Sequence, residues 1–253
     1  LHTECNHNGM MKHIQRFKKI TNFCIKNNYI TKDPFVGFKI LFKKSNRVYI
    51  NKDELETLKN ITLNNNLNKV RDVFLFSCYT GLSYIDLYNL SLKNIRKGYD
   101  GLQWIFVKRQ KTDIPSNLPI LPYAFSILKK YKKEKNINRI FPMISNQKTN
   151  KALKEIGRMC GFNKKLYLRN DKGDVIQSAK QYELLTNHSA RRTFCTIAYL
   201  NGTDTIQIMN LSGHKTESVL LKYIKVTKEQ HALRMLKTNH FKKLNSIKTL
   251  RAV

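Results

Sequence analysis

The sequence predicts a mainly α-helical protein with small β-hairpins, an α+β class, on three observations. Apolar residues recur at spacings of three and four through most of the chain, which is the helical period. Only two stretches, around 102–121 and 165–177, carry the β-branched and aromatic runs bounded by turn residues that mark strands. The 253 residues are 41% hydrophobic and 10% aromatic, enough for a real core, which excludes whole-chain disorder.

The first predicted helix covers roughly residues 4 to 28. Met10, Ile14, Phe17, Thr21 and Cys24 fall on one face, and Lys12, Arg16, Lys19 and Lys26 fall largely on another. One amphipathic helix cannot be a domain alone. The lack of a packing partner, and of an initiator Met, predicts a fragment of a longer protein or an N-terminus that is not represented. Residues 31–36 contain Pro34 and read as a loop, and a linker is expected near 37–49. Asn51 with Glu54 is a capping-box pattern opening a helix to about Leu58. Val70 to Cys78 is an apolar helix stopped at Gly81, and a short helix runs from Ser83 to Leu90. Leu102 to Lys108 is a strand, 110–116 a turn, and Asn117 to Leu121 a return strand. Helices follow over 123–135 and from Lys151 to Cys160, then two short strands within 165–177. The last helices are Ser189 to Asn201, Asp204 to Leu211, 217–225 and 227–238.

Charge narrows the function. There are 47 Lys and Arg against 17 Asp and Glu, a formal net charge of +30. An excess of this size opposes compaction and implies a polyanionic partner, nucleic acid first, because phosphate neutralisation releases counterions. An AT-rich genome accounts for some of the Lys but not for the shortage of acids. A membrane surface fits less well, since the cations are spread along the chain. No apolar run approaches the ~18 residues of a membrane span, and the N-terminus has no secretory layout. Cys5, Cys24, Cys78, Cys160 and Cys195 are odd in number, scattered and without a CxxC pair. They read as buried thiols of a reducing cytosol. His7 and His13 near Cys5 lack a fourth ligand, so no metal site is expected.

Three places carry candidate chemistry. They are Lys108 to Thr112 at a strand end, His188 to Phe194, and Ser212-Gly213-His214 with Tyr223 nine residues later. Singly each has a plain structural reading: a hairpin tip, a helix start, a turn and a half-buried tyrosine. Their order is more specific. A strand-end Lys, HxxR, GH and a Tyr on a basic chain resemble the tyrosine recombinase (phage integrase) family. FSCYTGLSYIDL, RQKT, NHSARRTF and SGHKTESVLLKYIKV are worded most like mobile-element integrases of Bacteroidetes.

The resemblance covers about residues 50–238 and implies a catalytic domain over 49–253. Residues 1–48 would be the C-terminal part of a helical core DNA-binding domain plus linker, with Lys12, Arg16 and Lys19 as DNA contacts. It also implies roles. Tyr223 would attack the scissile phosphate to give a 3′-phosphotyrosine. Arg191 would hold non-bridging oxygens, His188 would assist proton transfer, His214 would hydrogen-bond the phosphate, and Lys111 would protonate the leaving 5′-oxygen. The partners implied are double-stranded DNA, further copies of the chain in a tetramer on DNA, and accessory DNA-bending factors. The place implied is the bacterial cytoplasm, at the nucleoid. The C-terminal helix either packs on a neighbouring protomer or packs within the chain.

The residue types suit this chemistry independently. Arg presents a planar fork to the equatorial oxygens of a phosphodiester in transition. A phenol of pKa about 10 needs a base or a cationic field, and a Lys can act as general acid where its pKa is lowered. No acidic cluster suited to Mg²⁺ is apparent and no cofactor is expected. Storing the cut bond as a phosphate ester needs no ATP. One departure matters: the family's first arginine is Ser83 here. Either Arg109 supplies the missing guanidinium from the hairpin, or it only contacts the phosphate backbone. Arg192 points about 100° from Arg191 round the helix and reads as structural or backbone-contacting. The competing functions are a type IB topoisomerase, a recombinase-derived regulator that no longer cuts, and a plain basic nucleic-acid binder.

Overall fold

The computed structural model describes residues 7–43, 47–132, 139–169 and 175–236. Cys5, residues 4–6 of the first expected helix, 44–46 of the expected linker, 133–135 of the fifth, the turn at 170–174, and 237–253 lie outside them. The chain divides into two compact units, one of Leu1–Asn46 and Tyr167–Gln177, the other of Arg47–Leu166 and Ser178–Val253.

In the smaller unit, α1 (His7–Lys26) carries Lys12, Arg16 and Lys19 exposed along its length. Its buried line is Met11 and Thr21, with Ile14 half-buried; Met10 and Phe17 are exposed. The apolar face is thus rotated by one residue at its start from the expected one, because a line through 11, 14, 18 and 21 follows the 3.6-residue turn equally well. The following loop folds back: Asn8 and Lys43 exchange two hydrogen bonds, and Phe35 stands edge-on to both Phe17 and Phe38.

The larger unit is built around α3 (Asn65–Thr80), whose Val73, Phe74, Leu75 and Phe76 are all buried. This helix begins five residues before the expected Val70. Asn64 caps it by accepting from the Leu67 N–H, so a polar first turn that reads as loop is helical. Gly81 ends it in the left-handed region, as expected. The expected capping box opens α2 (Lys52–Asn60), and Ser83 with Asp86 forms a second one at α4 (Tyr84–Tyr88). A three-stranded antiparallel sheet follows, β1 (Ile95–Lys97), β2 (Gln103–Lys108) and β3 (Pro115–Pro119). The short basic β1 was not foreseen, since three residues give no alternation. The return strand starts two residues early because Lys108 pairs with Pro115 across the turn. Then come α5 (Pro122–Lys132) and α6 (Asn146–Met159); the paired β4 (Lys165–Arg169) and β5 (Val175–Lys180) begin and end in this unit, but their residues 167–169 and 175–177 belong to the smaller one. Ser145 caps α6, which moves its start ahead of Lys151.

The end of the chain positions the site. α7 (Asn187–Leu200) packs along α3 and presents its first turn at the surface. α8 (Thr205–Ser212) ends at Gly213 in the left-handed region. α9 (Glu217–Leu221) stops before Tyr223, so the expected helix 217–225 is shorter and Tyr223 sits in the turn that follows. That turn is held by Thr196 of α7, which donates to the Tyr223 carbonyl and accepts from the Lys225 N–H. α10 (Lys228–Leu236) has no buried residue, and its Leu233, Met235 and Leu236 are exposed. Among the described residues no helix is long and apolar enough to cross a membrane, and no three metal-ligating side chains cluster.

Candidate active site

Tyr223 is gripped between two imidazoles. Its ring centroid lies 4.8 Å from that of His188 and 4.4 Å from that of His214, with the Arg191 guanidinium carbon 5.8 Å away. His188 and Arg191 come from the first turns of α7, where i and i+3 share a face. His214 comes from the turn after α8. A cleft of about 210 Å³ opens beside them, lined among others by Ser83, Lys111, Asn187, His188 and Arg191. The start of α7 therefore faces a space to which Lys111 and Arg191 bring positive charge and no lining residue brings a negative one, which favours an anion.

His214 is oriented by the backbone bend before it. Gly213 lets the Ser212 hydroxyl reach His214 Nδ1 at 2.7 Å, while Nε2 lies 3.4 Å from an Arg191 Nη. Arginine only donates, so Nε2 accepts and the proton sits on Nδ1, facing Ser212. Burial, then the charges of Arg191 and Arg109, press the His214 pKa down to about 3. His188 is pressed to about 4 by burial and then by Arg192, Arg191, Lys111 and Arg47. Both rings are neutral at pH 7, so His188 is able to take a proton.

Arg109 is almost fully buried, with 3% of its surface exposed. It donates to Ser116 Oγ at 3.0 Å, to Asp86 at 3.1 Å, to the Gly81 carbonyl at 3.5 Å and to the Leu211 carbonyl at 2.6 Å. Four of its five N–H donors are thereby engaged. Burial and then Arg191 lower its pKa to about 10. Asp86 is the hub of this frame. Burial alone would raise its carboxyl, but hydrogen bonds from Ser83, the Arg109 charge and the Gln110 N–H together hold it below the ordinary range. Arg191 donates to the same Gly81 carbonyl at 2.8 Å, so one backbone oxygen aims both guanidiniums.

The structure thus brings Tyr223, His188, His214 and Arg191 together, and sets Lys111 on the same cleft. Lys111 is exposed on the β2–β3 loop, which Thr112 ties to the Gly213 carbonyl. Arg109 lies directly behind this group. Ser83 lines the cleft, but its hydroxyl donates to Asp86. Phe194 packs on Gly81. Cys195 is buried, which raises its thiol pKa to about 11, so it is inert. The sequence did not reveal the Gly81 and Leu211 carbonyls, Ser116, Ser212 or the anchoring role of Asp86. Only the Ser83–Asp86 spacing hinted at the last.

The phage integrase family model matches residues 48–230, more than two thirds of the chain. The chain belongs to the phage integrase family. No curated protein gives a significant sequence match to this integrase-family chain. Among solved structures it is similar to the Tn1549 transposon integrase in complex with circular-intermediate DNA, with 15% identity and a TM-score of 0.63 over 91% of this chain and 79% of that one. It is also similar to the XerH site-specific recombinase bound to a palindromic difH substrate, with 17% identity and a TM-score of 0.56 over 77% of this chain. A lambda integrase dimer on a core site gives 15% identity and a TM-score of 0.59 over 82% of this chain. The integrase-family chain spans about half the length of two of these proteins, 54% of XerH and 56% of lambda integrase. At these identities the likeness is one of fold.

Proposed function

We propose that this chain is the catalytic part of a site-specific DNA recombinase that cuts and rejoins strands through a 3′-phosphotyrosine, without metal or ATP. The observation that carries the reading is the seat of Tyr223 between His188 and His214, beside Arg191 and a cationic cleft. The Tyr223 oxygen attacks the scissile phosphorus, and its proton passes to neutral His188. The bond from phosphorus to the 5′-oxygen breaks, and the Lys111 ammonium gives that oxygen a proton. Arg191 offsets charge on the non-bridging oxygens. The incoming phosphate separates Arg191 from His214, raises the imidazole pKa and lets His214 donate. Rejoining is the reverse, with the 5′-hydroxyl as nucleophile. In this reading Arg109 provides the second guanidinium, by its charge and its one remaining N–H.

The same reading takes residues 1–48 as the end of a core-binding domain whose Lys12, Arg16 and Lys19 meet the backbone of duplex DNA. It takes the working form as a tetramer on two sites, assisted by DNA-bending factors, in the cytoplasm of a bacterium. The motif wording supports a place among mobile-element integrases of Bacteroidetes. A second reading, a DNA-binding protein of impaired catalysis, is favoured by Ser83 and by the engaged donors of Arg109.

The test is covalent trapping on a nicked suicide duplex carrying the element's own end, resolved on a denaturing gel. A shifted band that Tyr223→Phe abolishes is expected. A full-length protein that binds its cognate duplex yet gives no band would establish the second reading.

A further inference from the structure

The start of α6 carries two side chains that the chemistry above leaves unused. Asn146 and Asn150 are four residues apart, so they share one face of the helix. Both line the cleft that also holds Lys111, His188 and Arg191. Both accept from Asn187, the first residue of α7: Asn150 Oδ1 takes its backbone N–H at 2.8 Å, and Asn146 Oδ1 takes its side-chain amide at 2.7 Å. That N–H is one of the donors that a helix start leaves without a partner inside the helix. His188 is the next residue, and Arg191 follows one turn later. α6 is itself fixed, because Thr149, Leu153 and Ile156 are buried and Ser145 caps it. One residue before the cap, the Ile144 carbonyl accepts from the Tyr84 hydroxyl at 2.6 Å, and Tyr84 adjoins Ser83 of the Asp86 frame. Two sides of the cleft thus rest on one helix start, the α4 side through Tyr84 and the α7 side through Asn187.

We propose that Asn146 and Asn150 are positioning residues for strand cleavage: they clamp the first residue of α7 and so hold His188 against Tyr223. The His188 and Tyr223 ring centroids are 4.8 Å apart. A side chain on the first turn of a helix keeps such a distance only while the turn itself is held. An amide suits the task. A carboxylate would be favoured at a helix start, but it would put a negative charge on a wall that faces a phosphodiester, whereas Asn accepts and stays neutral. The proposal rests on the recombinase reading for the reaction it serves, and the clamp itself is read from the hydrogen bonds.

The experiment compares Asn150→Ala, Asn187→Pro and the two together in the full-length protein. Asn150→Ala leaves the Asn187 N–H without its acceptor. Asn187→Pro removes that N–H and presets the backbone for a first helical position. Thr186 before it is already extended, with φ −146° and ψ 165°, as a following proline requires. Beside Asn150 the proline ring would press on Oδ1, and beside an alanine it has room. One readout is the rate of adduct formation at saturating nicked suicide duplex, with duplex affinity measured separately. The other is the titration of the His188 imidazole followed by NMR. Asn150→Ala is expected to slow the adduct roughly 10–100-fold at unchanged affinity, as misplacement of a reacting group does. It is also expected to move the His188 titration from about 4 up towards ~6.5. The double variant is expected to be faster than either single one and to bring the titration back down, a reversal that general loss of packing would not give. Asn150→Ala with the parental rate and titration, or with a loss confined to duplex affinity, would overturn the clamp. If the parent itself forms no adduct, the recombinase reading fails, and the His188 titration still decides the clamp.

Discussion

Replacing Arg109 by Ala tests the frame behind the candidate active site, because stability and the proposed strand cleavage respond to it separately. The Asp86 side chain is 5% exposed and keeps its bonds from Ser83 and Gln110 when the guanidinium goes, but it loses its countercharge. Breaking a buried pair in this way costs about 3–5 kcal/mol. The part-buried Leu211 carbonyl loses its 2.6 Å donor, a further cost of about 1–3 kcal/mol for an acceptor left unpaired. In the other direction, Arg109 and Arg191 meet at one oxygen with distances of 3.5 and 2.8 Å, so their charges lie within about 6 Å. Relief of that repulsion returns about 3 kcal/mol at an effective dielectric of about 20. The net loss is about 3 kcal/mol, a fall in Tm of roughly 6–12 °C for a domain of this size. A thermal melt reads it, and an Arg109→Ala protein melting with the parent would refute the reasoning. Catalysis needs a variant that folds. Arg109→Met with Asp86→Asn removes both charges and is expected to recover most of the stability. Trapping by that variant is expected to fall about 10²–10³-fold if the guanidinium charge serves the phosphate. Trapping at the parental rate would show that Arg109 is only a strut.

Two further outcomes follow from the same site. His188 and His214 titrate at about 4 and about 3 when folded, against about 6.5 in an unfolded chain. The unfolded chain therefore binds more protons below pH ~6.5, and stability falls as pH drops from there towards ~4. Asp86, held low, extends the loss to more acid pH. The Tm of the free protein should fall across this window and should fall less for His188→Gln with His214→Gln; equal profiles would contradict two imidazoles held neutral in the folded chain. Gly81→Ala places a Cβ 2.6 Å from the Phe194 ring at a φ of +66°. It should lower stability by about 1–3 kcal/mol and slow trapping, since its carbonyl aims Arg191. Parental Tm and trapping rate together would exclude that role.

What was legible in the sequence was what is local. The Ser83–Asp86 and Asn51–Glu54 boxes, the Gly81 stop and the His188–Arg191 spacing each lie within one turn, where residue type dictates geometry. Helix starts were misplaced where an Asn or Ser cap precedes a polar turn, as at Asn64 and Ser145, because such a turn has no apolar period to detect. The frame of the site was illegible for a different reason. Arg109 reaches Asp86, Gly81 and Leu211 across 23, 28 and 102 positions of the chain. No spacing rule spans such distances.

This division bears on the missing arginine. From the sequence, Ser83 is a deletion of one charge and Arg109 an unplaced addition of one. In the fold both meet the same carboxylate, since the Ser83 hydroxyl and the Arg109 guanidinium converge on one oxygen of Asp86. A guanidinium at position 83 would compete with Arg109 for that carboxylate, and a third cation would join the Arg109–Arg191 pair at the Gly81 carbonyl. Ser83 is neutral and short, so it leaves Asp86 to Arg109 and leaves the cleft beside Arg191 open. Restoring an arginine at position 83 is therefore an addition of unbalanced charge to this particular frame, and gain of function from it requires Arg109 to be neutralised at the same time.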